Sequence, residues 1–143
     1  MKNKDEALFK LLNQALENEY AGVIRYSHYS LMIFGFNRIP IVKWFRDQSS
    51  ESLQHAEKIG EWITALGGHP SLKISKLLET HKHDLRDILG ESLEHEKEQL
   101  AILETILGVL NDKQIALDEF VRALIEEETL HVSEIEKMLR QQK

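Results

Sequence analysis

Through four long stretches of the chain, apolar and polar positions alternate in steps of three and four, the period of a helix with one buried stripe. In the first stretch Leu8, Leu12, Ala15, Glu19, Gly22, Tyr26, Tyr29 and Ile33 share a face. Asp5 is an N-cap type and Gly35 with Asn37 are breakers, so a helix is predicted over residues 5–34. Pro40 suits a first helical turn and Gly67-Gly68 a stop, which predicts a second helix over residues 40–66. Its stripe is Phe45, Gln48, Ser52, His55, Ile59, Trp62 and Leu66. A third helix should start between residues 80 and 84, where Asp84 and Asp87 favour its positive end, and run to Leu110. It aligns Leu89, Leu93, Glu96, Leu100, Leu103, Leu107 and Leu110. Asn111-Asp112 reads as a tight turn into a fourth helix, residues 114–140, with Leu117, Val121, Leu124, Glu128, His131, Ile135 and Met138 on its stripe. Residues 67–80 contain Pro70 and read as a long crossover with a short helical turn at 75–78. Four helices and one such crossover predict an all-α, antiparallel four-helix bundle in up-down-down-up order.

The stripes should be wholly apolar, yet they are interrupted by Glu19, Ser52, His55, Glu96, Glu128 and His131. Burying a carboxylate without a partner costs several kcal/mol, and a metal ion is the economical partner. Glu128 and His131 are three residues apart on one helix face, close enough to touch one cation or a pair. The two halves of the chain repeat this layout, since Glu19 precedes His55 by 36 residues and Glu96 precedes His131 by 35. They differ three residues before the histidine, where the second half has Glu128 and the first Ser52. Carboxylate and imidazole donors without sulfur favour iron or manganese, and zinc also suits them. The bland alternative is a metal-free relic in which the same groups hold one another by hydrogen bonds.

Composition narrows the field. No cysteine is present, which excludes disulfides, thiolate zinc, iron–sulfur clusters and a cysteine nucleophile. A length of 143 residues fits one domain, residues 1–143, and two prolines and seven glycines leave little room for sheet. The net charge of −6 argues against nucleic acid, because only Lys2 and Lys4 form a basic tail. The polar start lacks the apolar core of a signal peptide, and no run approaches the roughly 20 apolar residues of a membrane span. A cytoplasmic protein without a membrane partner is expected. Gln48 reads as a satisfied core polar group, and His81 and His83 as solvated surface. Trp44, Trp62, Met32 and Met138 read as core or subunit contacts, and Glu94, His95, Glu126 and Glu127 as an outer charged layer.

Asn18-Glu19-Tyr20 with Tyr26, Gln54-His55-Ala56-Glu57-Lys58, Leu93-Glu94-His95-Glu96 and Glu126-Glu127-Glu128-Thr129-Leu130-His131 together resemble the ferritin-like superfamily, bacterioferritins most closely. The resemblance implies a di-iron centre that oxidises Fe(II) with dioxygen or peroxide, for iron storage or detoxification. It makes Glu19 and Glu96 terminal carboxylates, His55 and His131 imidazole ligands, Glu128 a bridge and Tyr26 a neighbour of the centre. Ser52 stands where the family has its other bridging glutamate, and Glu51, about 100° round the helix, is an imperfect substitute. One tight and one weak metal position, the weak one nearer Glu19 and His55, are therefore expected, with slow oxidation. Leu53 replaces the haem-ligating methionine of bacterioferritins, so no haem is expected. The fourth helix should end near Lys143 without the fifth helix of large cages, which suits a dimer or a twelve-subunit shell as well as twenty-four subunits. Two other readings fit the bundle: an oxygen-activating di-iron or di-manganese oxidoreductase, and a structural protein with a degenerate centre.

Light scattering should accordingly give a dimer or a larger homo-oligomer, associated through the first two helices, and the visible spectrum should show no Soret band. A pure preparation that runs as a monomer, or that carries haem stoichiometrically, would contradict this reading.

Overall fold

The computed structural model describes residues 2–140, with side chains from Asp5 onward. It consists of α1 (Lys2–Met32), α2 (Arg38–Ala65), α3 (Leu85–Val109) and α4 (Ile115–Leu139). The expectations about the Lys2 and Lys4 side chains and the end at Lys143 lie outside the described residues. The expected bundle is present: α1 packs on α2, α3 on α4, and α1 on α3. Among the described residues no helix is long and apolar enough to cross a membrane.

The first helix starts earlier than expected, because Asp5 lies in its first turn, where a carboxylate opposes the positive helix end instead of capping it. Between α1 and α2 the chain turns at Gly35, whose φ of +103° suits glycine. Arg38 then donates through Nη1 to the carbonyls of Ser30 at 3.1 Å and Ile33 at 2.6 Å, occupying acceptors that the end of α1 leaves open. The stripe of α1 is buried throughout, as its spacing requires. Two other stripes are rotated slightly from the expected line. In α2 Ile63 is buried while Trp62 is half-buried and Leu66 exposed; in α3 Gln99 and Ile106 are buried while Leu93, Leu100 and Leu107 are half-buried.

No helical turn forms at residues 75–78; the crossover is irregular, and its polar backbone is served by α1. Asn13 donates to the His69 carbonyl at 3.2 Å and accepts from the Ser71 amide at 2.8 Å. The Ser75 amide reaches the Glu17 carbonyl at 3.1 Å, and Arg25 the Lys76 carbonyl at 3.4 Å. Successive crossover residues thus meet successively later turns of α1, so the strap runs along α1 and delivers the chain to the far end of the bundle. Its start depends on two glycines. Gly67 has φ +86° and donates to the Thr64 carbonyl at 3.0 Å, and a Cβ on Gly68 would lie 2.4 Å from the Phe9 ring.

The apolar core is in two pieces. One gathers Leu8, Leu12, Leu16, Ile59, Leu103 and Val121 among others; the other gathers Tyr26, Tyr29, Phe45, Ile88, Leu89 and Ile135. Between them lies the buried polar level of Glu19, Ser52, His55, Glu96 and Glu128.

The two glycines should fail differently. Gly67→Ala meets open space but a left-handed backbone and should lose about 1–2 kcal/mol in urea unfolding. Gly68→Ala meets the Phe9 ring and should lose about 1–3 kcal/mol, much of it recovered by adding Phe9→Leu. Equal rescue of both variants by Phe9→Leu would refute the distinction.

Candidate metal centre

Each helix delivers donors to the polar level. Glu19 comes from α1, His55 from α2, Glu96 from α3, and Glu128 with His131 from α4. The three carboxylates and His55 are buried, and the His131 side chain is 19% exposed. Two groups of three can each offer ligand atoms within 4.8 Å of one another: Glu19, His55 and Glu128, and Glu96, Glu128 and His131. Glu128 belongs to both. Both histidines present Nδ1 to the interior: that of His55 lies 3.6 Å from Glu19 Oε2 and 3.6 Å from Glu128 Oε1, that of His131 4.0 Å from Glu128 Oε2. Their Nε2 atoms face outward to carboxylates, His55 to Glu127 at 2.6 Å and His131 to Glu51 at 3.1 Å.

These outward contacts cross between the two halves of the chain. Glu127, one residue before Glu128 on α4, serves the histidine of α2; Glu51, one residue before Ser52 on α2, serves the histidine of α4. A carboxylate on the far nitrogen fixes ring orientation and strengthens a metal-binding imidazole. Glu127 therefore orients His55 and does more than the outer charged layer expected of it, while Glu51 Oε2 stands beside His131 without a hydrogen bond.

Around the carboxylates stands a second set of polar groups. Gln99 donates to Glu19 Oε1 at 2.9 Å and to the Ala15 carbonyl at 3.1 Å, and Asn18 donates to Gln99 Oε1 at 3.0 Å. The Tyr26 hydroxyl donates to Glu96 Oε1. Gln99 was not foreseen from the sequence, although it lies three residues after Glu96 and so on the same face. His95 corrects an expectation outright. It is buried, not part of an outer layer, and its ring stands edge-on to Tyr26 with centroids 6.0 Å apart. A Cβ built on Gly22 would lie 2.8 Å from Ser52 Oγ and 3.0 Å from His95 Nε2, so these two side chains fill the space in front of the Gly22 backbone.

Burial raises Glu19 from its ordinary value of 4.5 to about 7, against the opposing pull of His55. Burial, reinforced by Glu128, holds Glu96 well above the usual carboxylate range. Desolvation alone would lower His55, but Glu128 and Glu19 outweigh it and hold the imidazolium up to about 11. Glu127 is nearer to His55 but half exposed, so water screens it. Tyr26 is raised by burial and by Glu96, and keeps its proton. His95 is lowered to about 4 by burial and the charge of Arg25, and is neutral.

Divalent metal fits this set. Glu128 Oε2 is a buried atom with no hydrogen-bond partner, three carboxylates share one buried layer, and the donors are oxygen and imidazole nitrogen. The two groups match in chemistry, each with two carboxylates and one imidazole, so the loss at Ser52 falls on the charge between the positions and not on a donor count at one of them.

Comparison with known proteins agrees with this architecture. The family model of the ferritin-like domain matches residues 9–143. A ferritin-like, diiron-carboxylate protein of Bacillus anthracis superposes with a TM-score of 0.92 at 26% identity, covering 98% of this chain and 100% of that one. A bacterioferritin of Rhodobacter capsulatus, solved with a metal-free dinuclear site, gives 0.85 at 24%, covering 94% and 84%. A dodecameric thioferritin of Bacteroides fragilis gives 0.82 at 21%, with the same coverage of 94% and 84%. Among curated proteins none matches.

The shifted groups set a pH dependence. Without metal, Glu19 and Glu96 keep protons in the fold that the unfolded chain loses above its ordinary value of 4.5. That contribution is full below 4.5 and is lost as pH rises, through about 7 for Glu19. His55 contributes fully below 6.5 and loses its share as pH rises through about 11. All three act in one direction, so the metal-free protein should melt lower at about pH 8 than at about pH 5. A divalent ion must displace these protons, so binding should tighten with pH and release protons. Calorimetry in buffers of different ionisation enthalpy reads that release; zero net release near neutrality would contradict the assignment.

Proposed function

We propose that this chain, which belongs to the ferritin-like domain family, binds iron among its four helices and oxidises Fe(II) there for iron storage or detoxification. The observation that carries the reading is Glu128, one buried carboxylate common to two three-donor groups and therefore able to lie between two cations. Glu19 with His55 would hold one ion and Glu96 with His131 the other. The ions are the substrate. Two Fe(II) give up one electron each; dioxygen takes up both electrons with two protons and leaves as peroxide, or peroxide does so and leaves as two waters.

The protein's part is to hold, orient and exclude water. Gln99 and Asn18 fix Glu19 in position, and Tyr26 does the same for Glu96. Glu127 holds the His55 imidazole with Nδ1 inward, and Glu51 lies 3.1 Å from the outward nitrogen of His131. The apolar clusters on either side keep the level dry, which strengthens every charge interaction in it. Protons displaced from Glu19, Glu96 and His55 as metal enters are available for the reduction of the oxidant.

The position nearer Glu19 and His55 is the weaker one in this proposal. The ion there must displace a proton that Glu128 and Glu19 hold on His55, and the charge missing at Ser52 leaves Glu128 as the one carboxylate between the positions to offset it. Iron is the metal proposed, with manganese or zinc competing for the same donors. A homo-oligomer, dimer at minimum, belongs to this proposal, and Ile24, Leu31 and Leu53 on α1 and α2 with Leu72 and Leu78 on the crossover are exposed apolar side chains that a second copy would cover.

Anaerobic Fe(II) titration should therefore give one tight and one weak site, followed by slow oxidation on admitting dioxygen or peroxide. Ser52→Glu, alone or with His95→Ala to clear its path, should tighten the weak site and speed oxidation by at least about tenfold. Glu128→Ala should weaken both sites by about 100-fold or more. Two sites of equal affinity in the unaltered protein would sink the argument from Ser52. Oxygen uptake that depends on an added organic substrate would instead favour the oxidoreductase reading.

A further inference from the structure

A second group of donors lies outside the bundle core, where the crossover passes the outer face of α1. His28 of α1 and Glu79 and His83 of the crossover offer ligand atoms that all lie within 4.8 Å of one another. His28 Nε2 is 3.1 Å from Glu79 Oε2, and His83 Nε2 is 3.5 Å from Glu79 Oε1. The two rings stand 5.9 Å apart at 66°. Both Nε2 atoms are shielded from solvent, and neither has a hydrogen-bond partner. Two imidazole nitrogens thus point at the two oxygens of one carboxylate without satisfying any of the four by a well-formed hydrogen bond between them.

The backbone holds Glu79 in that place. His81 takes the left-handed conformation, φ +56°, and its amide donates to Glu79 Oε1 at 2.6 Å. The strap on either side is tied down, by Arg25 on the Lys76 carbonyl and by Thr80 on Glu91. Beside the group is a cavity of about 220 Å³ lined also by Arg25, Tyr29 and Glu91, room enough for the waters a cation would retain. Arg25 is the positive group nearest this cavity, and Glu91 offsets it.

We propose that His28, Glu79 and His83 form a second metal site, for a borderline divalent ion such as Zn(II) or Fe(II), that clasps the crossover onto α1. Two imidazoles and one carboxylate form a donor set that suits either ion, with water completing the coordination. The site does not depend on the centre in the bundle and shares no residue with it. Because two of its ligands come from the irregular crossover and one from a helix, the bound ion joins two segments otherwise connected there mainly by single hydrogen bonds.

The test is hydrogen exchange of the full-length metal-free protein with and without Zn(II), and in parallel with anaerobic Fe(II), in the unaltered chain, Glu128→Ala, His83→Ala and Glu79→Gln. Added metal should slow exchange in residues 76–84 of the unaltered chain and of Glu128→Ala. His83→Ala and Glu79→Gln should lose that protection while keeping protection of α4, and each should bind one ion fewer by titration. Absence of metal-induced protection at residues 76–84 in the unaltered chain overturns the proposal, whatever the variants do. So does identical stoichiometry and protection in His83→Ala or Glu79→Gln. Protection by one ion and not the other identifies the ion. Loss of protection in α4 alone would count against the bundle centre and leave this site standing.

Discussion

Three carboxylates in one buried layer are the constraint on which the rest of the structure depends. Glu19, Glu96 and Glu128 are almost fully buried, at 5%, 4% and 2% exposure, and as anions they repel one another where water cannot screen them. The fold answers in three ways. Gln99 and Tyr26 donate hydrogen bonds to two of the three, the imidazolium of His55 stands against Glu19 and Glu128, and protons remain on groups that would lose them in water. Protonation relieves the repulsion but removes the charge that binds a cation, whereas divalent cations would neutralise the carboxylates while using them as ligands. The same layer also divides the apolar core into two clusters, so the helices are held above and below the site and the site sits where their packing is fixed from both sides.

Ser52 shows how a missing charge is accommodated. A glutamate three residues before His55 would repeat the Glu128–His131 arrangement, yet Ser52 lies against the bare backbone of Gly22 with the neutral His95 ring beside it. The polar level is therefore closed on that side by an uncharged imidazole. Both three-donor groups keep two carboxylates and an imidazole because Glu128 is shared. The two positions differ in the surroundings of their imidazoles, His55 lying buried against Glu19 and Glu128 and the His131 side chain being 19% exposed.

The crossover links the candidate metal-ligand groups of the molecule through α1. Its backbone has no internal ladder and depends on Asn13, Glu17 and Arg25 for hydrogen bonds. Following α1 turn by turn, it carries Glu79 and His83 to His28, on the outer face of the helix whose inner face holds Glu19 and Tyr26. Exposed leucines on the strap and on α1 and α2 give the outer surface an apolar character that the inner chemistry does not require.

The pattern of the sequence by itself determined the four helices, their order, the crossover and the level at which donors interrupt the apolar seams, because helix periodicity fixes which residues share a face. Glu19, His55, Glu96, Glu128 and His131 could be picked out for that reason alone: each is a polar residue where the period demands an apolar one. Periodicity says nothing about rotation of a helix by part of a turn, which is why Gln99 and His95 proved buried and Leu100 did not. Nor does it say which side chains meet across the bundle. The exchange of Glu51 and Glu127 between opposite histidines, the sharing of Glu128, and the packing of Ser52 and His95 on Gly22 follow from helix spacing. His83 read as solvated surface because its neighbours in sequence are polar and unpatterned. Only the path of the crossover along α1 brought it to His28, since an irregular segment has no period from which its partners can be read.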